Sequence, residues 1–174
     1  MNDDELDALT KTTFVAMKEA LREAEERADQ HMMAADTNDL TGLLNRRGLE
    51  RRTRGRDWGW YVVADLNDFK AAQDRPGCGH AYGDEILVEF ADFLMENTRH
   101  HDMRARDILA ARTGGDEFTI WTETRSGARR IKEAIRAWTS KDGVVTASAG
   151  IGKDADAADV ACYMNKTEHK DKAQ

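Results

Sequence analysis

No apolar run in this chain approaches the length needed to cross a membrane, and the first residues, Met1-Asn2-Asp3-Asp4-Glu5, lack the basic and apolar regions of a secretory signal. These absences exclude a membrane-spanning chain and predict a cytoplasmic one. Cysteine is scarce: Cys78 and Cys162 stand far apart, with no CxxC pair and no Cys/His spacing. That excludes a disulfide framework and a structural zinc site, and leaves packed or incidental thiols. Positive charge is in deficit, with 26 Lys and Arg against 33 Asp and Glu, a formal charge of −7. Non-specific nucleic-acid binding is disfavoured, because its affinity comes from phosphate neutralisation by Lys and Arg, and a nucleotide ligand would need local cations. Proline occurs once, at Pro76, and neither proline nor glycine interrupts residues 3–35.

What is present is a 40% hydrophobic, 34% charged composition, which suits a globular domain with a well-solvated surface. A chain of 174 residues suffices for one core and an appended helix. The stretch 3–35 is rich in Ala, Glu, Leu, Met, Lys and Arg and predicts one long helix. Phe14, Met17, Leu21, Ala24, Ala28, Met32 and Ala35 recur in steps of three and four, the seam of a coiled coil. Residues 1–36 are therefore expected to pair two copies of the chain as a homodimer, and residues 37–174 to form the functional domain. Thr37-Asn38-Asp39 punctuates the boundary and is expected to cap a helix beginning near Leu40.

Two later stretches carry the chemistry. Arg112-Thr113-Gly114-Gly115-Asp116-Glu117-Phe118 reads as a tight β-hairpin, with two acids following a Gly-Gly turn signal. Gly114 and Gly115 let backbone approach a phosphate or sugar, and the carboxylates suit a hard cation. Upstream, Trp58 to Ala64 is an apolar, aromatic run ending at Asp65, as a buried central strand would deliver an acid to a sheet edge. Three acids from two elements repel one another unless a cation or protons intervene, which favours Mg²⁺ beside Asp65, Asp116 and Glu117. Asn67, Asp68, Phe69 and Lys70 then open a helix whose free N–H groups suit a triphosphate.

The remaining periodicities place a helix from Asp84 to Thr98, a helix from Ala128 to Trp138, a strand from Val144 to Ala149 and a last helix from Ala155 to Lys170. The order predicts an α/β (α+β) sandwich with a central, mainly antiparallel sheet flanked by helices, of ferredoxin-like or polymerase-palm type, preceded by the long N-terminal helix.

Six signatures in order resemble the GGDEF domain of the diguanylate cyclase family: Leu40 to Arg47, Asp65 to Lys70, the Gly79-His80-Ala81-Tyr82-Gly83-Asp84 element, the hairpin, Ser148 to Gly152, and Ala158-Asp159 with Tyr163 and Lys166. The resemblance implies condensation of two GTP molecules into cyclic di-GMP with release of two pyrophosphates, by a homodimer that uses Mg²⁺, or Mn²⁺ in its place. By that resemblance Asp65, the Leu66 carbonyl and Asp116 hold Mg²⁺, and Glu117 binds a second metal or helps deprotonate the attacking 3′-hydroxyl. Asn67 to Lys70, Lys166 and Lys170 bind phosphates, and Gln73 and Asp84 bind guanine.

The chain departs from the family's pattern in several places. Gln73 stands where Asn is usual, Gly79-His80 arrives two residues late, and Lys170 replaces an arginine. Arg104 and Asp107 resemble the inhibitory product-binding RxxD motif, with altered spacing to Gly114. The rival readings are a GTP or cyclic di-GMP receptor of weak activity, a related cyclase of another purine specificity, and a coiled-coil interaction module.

Overall fold

The computed structural model describes residues 3–56, 58–99 and 108–172. They fall into two compact units, one ending at Asp36 and the other beginning at Thr37. The first is a single helix, α1 (Asp3–Asp36). Its seam side chains Phe14, Met17 and Leu21 are 67%, 72% and 60% exposed, and on its surface Arg27 Nη2 donates to Glu23 one turn away at 2.8 Å.

The second unit runs β1 (Leu44–Asn45), α2 (Arg46–Thr53), β2 (Trp60–Asn67), α3 (Phe69–Gln73), α4 (Gly79–Arg99), β3 (Ile108–Arg112), β4 (Glu117–Thr122), α5 (Arg125–Ala137), β5 (Thr146–Gly152) and α6 (Ala155–Lys172). The strands form one sheet in the order β1-β3-β4-β2-β5. Pairings β3–β4, β4–β2 and β2–β5 are antiparallel, and the short β1–β3 pairing is parallel. This is the expected sandwich, with a mixed sheet. No helix among the described residues is long and apolar enough to cross a membrane.

Three local expectations need correction. No helix begins near Leu40: Asn38 Oδ1 accepts from the Thr41 N–H at 3.1 Å and the Thr41 hydroxyl at 2.9 Å, and Gly42 turns left-handed at φ 70°. That local turn competes with helix, so α2 starts only at Arg46, where Asn45 caps it by accepting from Gly48 N–H at 2.9 Å. Helix α4 begins at Gly79, ahead of Asp84, and so contains the whole Gly79-to-Asp84 element. Strand β2 continues past Asp65 to Asn67, because β5 supplies pairing partners for Leu66 and Asn67.

The two faces of the sheet differ. Val62, Ala64 and Leu66 alternate onto one face with Phe118 and Ile120, where Phe90 and Leu94 of α4 and Ile131 and Ile135 of α5 close the main core. The opposite face carries two small apolar clusters, Leu49 with Ala111 and Trp121 under α2, and Val63 with Ala158 and Cys162 under α6. Helix α6 lies directly on β5. A Cβ at Gly152 would stand 2.7 Å from the Ala157 carbonyl carbon and the Asp154 oxygen, and one at Gly150 would strike the Cys162 and Ala158 backbone. Glycine at both positions brings the helix, and Lys166 with it, down to the sheet.

Candidate active site

Register sets the acids side by side. Asp65 of β2 pairs with Glu117, the first residue of β4, and on its other side with Ser148 of β5. The Leu66 N–H donates to the Asp116 carbonyl at 3.2 Å, so Asp116 is held against the same point of β2. From α6, Lys166 Nζ donates to Asp65 Oδ1 in a partly buried ion pair. Burial pushes the Asp65 carboxyl above its ordinary value of 3.8; the Lys166 hydrogen bond and charge pull it back, while Asp116 and Asp159 add repulsion. A recess of about 530 Å³ beside Asp65 is lined by Glu117, Asp159, Cys162, Tyr163 and Lys166 among others.

The hairpin that presents the acids is braced at three points. The Thr113 and Gly114 N–H groups donate to the Glu117 carbonyl at 2.9 and 3.2 Å. Arg112 donates from Nε and Nη2 to the Gly115 carbonyl at 3.1 and 2.7 Å, and Arg46 of α2 grips the Thr113 carbonyl in the same way at 3.2 and 2.7 Å. Charge-assisted pairs of this kind fix orientation as well as distance. The Glu117 carboxylate folds against Gly114, where a Cβ would collide with it, and nothing lies within 4 Å of a Cβ built on Gly115. Backbone at the bend is therefore open to a ligand. Burial lowers the Arg112 guanidinium from its ordinary value, and the nearby Asp84 and Asp116 carboxylates oppose that shift.

The residues Asn67 to Lys70 divide between structure and surface. The Asn67 amide donates to Thr146 Oγ1 at 3.0 Å and accepts from the Ser148 hydroxyl at 2.9 Å, so its side chain ties β2 to β5. Asp68 takes a left-handed φ of 57° and turns the chain into α3, Phe69 is buried, and Lys70 is exposed. At the other end of α3, Gln73 lies against Gly83, at a spot a Cβ there would occupy, and the exposed Asp84 follows at once. The structure thus brings Gln73 and Asp84 to one place. The side chain of Lys170, and Arg104 and Asp107 entirely, lie outside the described residues.

Several contributors escaped the sequence reading. Arg46 stands in the Leu40-to-Arg47 signature with no partner named, and its partner is a hairpin carbonyl 67 residues away. Thr146 gave no signal, and Ser148 and Asp159 stood only as members of resembling segments without a role, because a hydroxyl on a strand or an acid on a helix reads as ordinary surface chemistry. Among the described residues no three His, Cys, Asp or Glu side chains converge as a metal cage. Two carboxylates and a backbone carbonyl at a strand end nonetheless fit Mg²⁺, which keeps several waters and is commonly held by one or two carboxylates together with substrate phosphates.

The fold is an α/β sandwich in which two adjacent inner strands carry Asp65 and Glu117 side by side. The model for the diguanylate cyclase GGDEF domain matches residues 35–171, and the chain is a member of that family. It is 38% identical over 122 residues to the response regulator PleD of Caulobacter vibrioides, covering 64% of this chain and 25% of PleD. It is 32% identical over 161 residues to the probable diguanylate cyclase DgcE of Escherichia coli, covering 76% of this chain and 14% of DgcE. The chain thus spans a quarter or less of these relatives. The fold matches the coiled coil and GGDEF domain of DgcB from Caulobacter crescentus, in complex with c-di-GMP, with a TM-score of 0.65 at 20% identity over 91% of this chain and 95% of that one.

Proposed function

We propose that the chain is a diguanylate cyclase that condenses two GTP molecules into cyclic di-GMP and two pyrophosphates as a two-fold homodimer, each copy holding one nucleotide. The observation that carries this reading is the register of Asp65 with Glu117, with Asp116 held on Leu66 beside them and Lys166 bonded to Asp65. Mg²⁺, held by Asp65, the Leu66 carbonyl and Asp116, would supply charge neutralisation at the phosphate oxygens.

The chain's own residues do the rest. Gln73 and Asp84 hold the base, Asp84 accepting from the guanine N1 and N2 protons. Lys166, Lys170 and Lys70 bind the outer phosphates, with Lys166 exchanging its carboxylate partner for phosphate when nucleotide enters. Glu117, exposed at the start of β4, accepts the 3′-hydroxyl proton. That oxygen bonds to the α-phosphorus of the nucleotide held by the other copy, the bond to the β-phosphate breaks, and pyrophosphate leaves. Two such displacements close the ring. Catalysis is chiefly positioning and electrostatics, which explains why the hairpin is braced so heavily. The exposed Phe14, Met17 and Leu21 seam on α1 supplies the pairing that two half-sites require.

A second reading has an observation of its own. If Lys166 stays on Asp65 after nucleotide binds, the chain is a GTP or cyclic di-GMP receptor without turnover. Incubation with GTP and Mg²⁺, followed by separation of the nucleotides, tests both. Cyclic di-GMP with two equivalents of pyrophosphate supports the cyclase; bound but unaltered GTP supports the receptor.

A further inference from the structure

Away from the acids, helix α4 is tied to the loop that leads into β5. Tyr82 Oη donates to Asp142 Oδ2 at 2.6 Å, and the Ser140 hydroxyl donates to Asp142 Oδ1 at 2.6 Å. Ser140, itself buried, accepts from the Val145 N–H at 2.9 Å, and the Gly143 N–H returns to the Ser140 carbonyl at 2.7 Å. Two turns along α4 from Tyr82, Glu89 Oε1 accepts from the Lys141 N–H at 2.9 Å. The loop is thus a closed, hydrogen-bonded turn clamped to the helix at two points.

The clamp bears on the base end of the site. Tyr82 immediately precedes Gly83, on which Gln73 rests, and Asp84, the acid assigned to guanine. Its ring packs on the edge of the main core, while its hydroxyl reaches the loop. The same loop runs into Thr146 and Ser148, which hold Asn67 at the end of β2. One short segment therefore contacts the base-recognition turn on one side and the strand that carries Asp65 on the other. A phenol donating to a carboxylate is a charge-assisted bond, stronger than a neutral one, and it resists rotation of the helix's first turn.

We infer that Tyr82 and Asp142 form a latch that positions Asp84 for the purine base, which makes Tyr82 a positioning residue for nucleotide affinity and base choice. This rests on the cyclase or receptor reading of the same site. The latch acts on the ground-state complex, so its loss weakens binding of nucleotide and transition state alike and leaves the chemical step untouched.

The variant is Tyr82→Phe, which keeps the ring in the core and removes only the donor. Steady-state kinetics with GTP and with ATP, or the nucleotide Kd in place of KM where the chain has no turnover, are compared with wild type, and hydrogen exchange is followed in the peptides covering 79–89 and 139–146. The expected result is a KM for GTP raised about three- to tenfold, the cost of one ordinary hydrogen bond, since this one is exposed and solvent weakens its charge assistance. Turnover at saturation should change less than about twofold, the preference for GTP over ATP should narrow, and exchange should quicken in both peptides. An unchanged KM, or a fall in kcat with KM constant, overturns the proposal. So does unaltered exchange. Should the wild-type chain bind no guanine nucleotide, the functional reading fails, and the exchange comparison still decides whether the latch orders the turn.

Discussion

The face of the sheet toward α4 and α5 is continuous apolar packing, whereas the face toward α2 and α6 is broken by Asp65, Glu117 and Thr119. The first face has the means to hold the fold by itself: Phe90 sits 4.8 Å from both Phe118 and Trp138 in edge-to-face contact, a geometry that adds to simple burial. The second holds its elements by other means. Backbone contact replaces side-chain packing at Gly150 and Gly152, and guanidinium braces replace it at Thr113 and Gly115. Acids can gather on one face of a sheet when the other face supplies enough burial, since unpaired charge works against folding.

The largest effect should come from breaking the packed face. Phe90→Ala removes a fully buried ring at the junction of three aromatics and should cost about 3–5 kcal/mol of stability. Denaturant unfolding measures it, and a loss below 1 kcal/mol would mean that the two faces share the burden. On the other face Asp116→Asn should leave unfolding unchanged and lower turnover at least about a hundredfold, since a lost carboxylate ligand removes several kcal/mol of charge stabilisation. Near-normal product formation by that variant would remove Asp116 from the metal site.

The core is complete within one copy and, on the reading proposed here, the active site is not. Deleting residues 1–35 should leave the domain folded and make specific activity depend steeply on protein concentration, because α1 no longer raises the effective concentration of the second half-site. A dilution series of both chains tests this. Equal, concentration-independent rates would show that the α1 seam has another use.

The smallest expected effect is a titration. Asp142 beside it pushes the Tyr82 phenol up to about 12, and the Ser140 hydroxyl and the Tyr82 phenol hold the Asp142 carboxyl below its ordinary 3.8. Arg75 lowers both groups, and Cys78 raises Tyr82. The raised phenol contributes stability that is complete below pH 10.0, its ordinary value, and lost as pH climbs toward about 12. The depressed carboxyl contributes stability that is present above 3.8 and lost as pH falls through its folded value. Tyrosinate absorbance should therefore show one late-titrating phenol that disappears in Tyr82→Phe. If the late phase persists in the variant, Asp142 is not what holds back a phenol.

Much of this was legible in the residues. The helical seam of α1, the apolar run of β2, the Gly-Gly hairpin and the core stripe of α4 are periodic or local signals, and each element formed where its pattern placed it, apart from shifted ends. The misplaced helix near Leu40 shows the limit of such signals. Asn38 is as suited to an Asx turn as to a helix cap, and the left-handed Gly42 decided between them. The segment after Asp65 was legible as a helix start, which the structure places at Phe69, two residues later than Asn67. That the Asn67 amide would be taken up by Thr146 and Ser148 was not, since their side chains meet only once β2 and β5 pair.

By itself the sequence determined which residue types were available and how they alternate: acids after a strand, acids after two glycines, a lysine on the last helix. Spacing along one element is set by the 3.6 and 2.0 periods of the backbone and can be read without folding the chain. Tertiary structure alone decided the partners: Lys166 with Asp65 across 101 residues, Arg46 with the Thr113 carbonyl across 67, and Tyr82 with Asp142 across 60. Nothing in the intervening residues encodes those pairs. They follow from strand order, from register and from two glycines that let a helix lie against the sheet, and these are settled only when the whole domain packs.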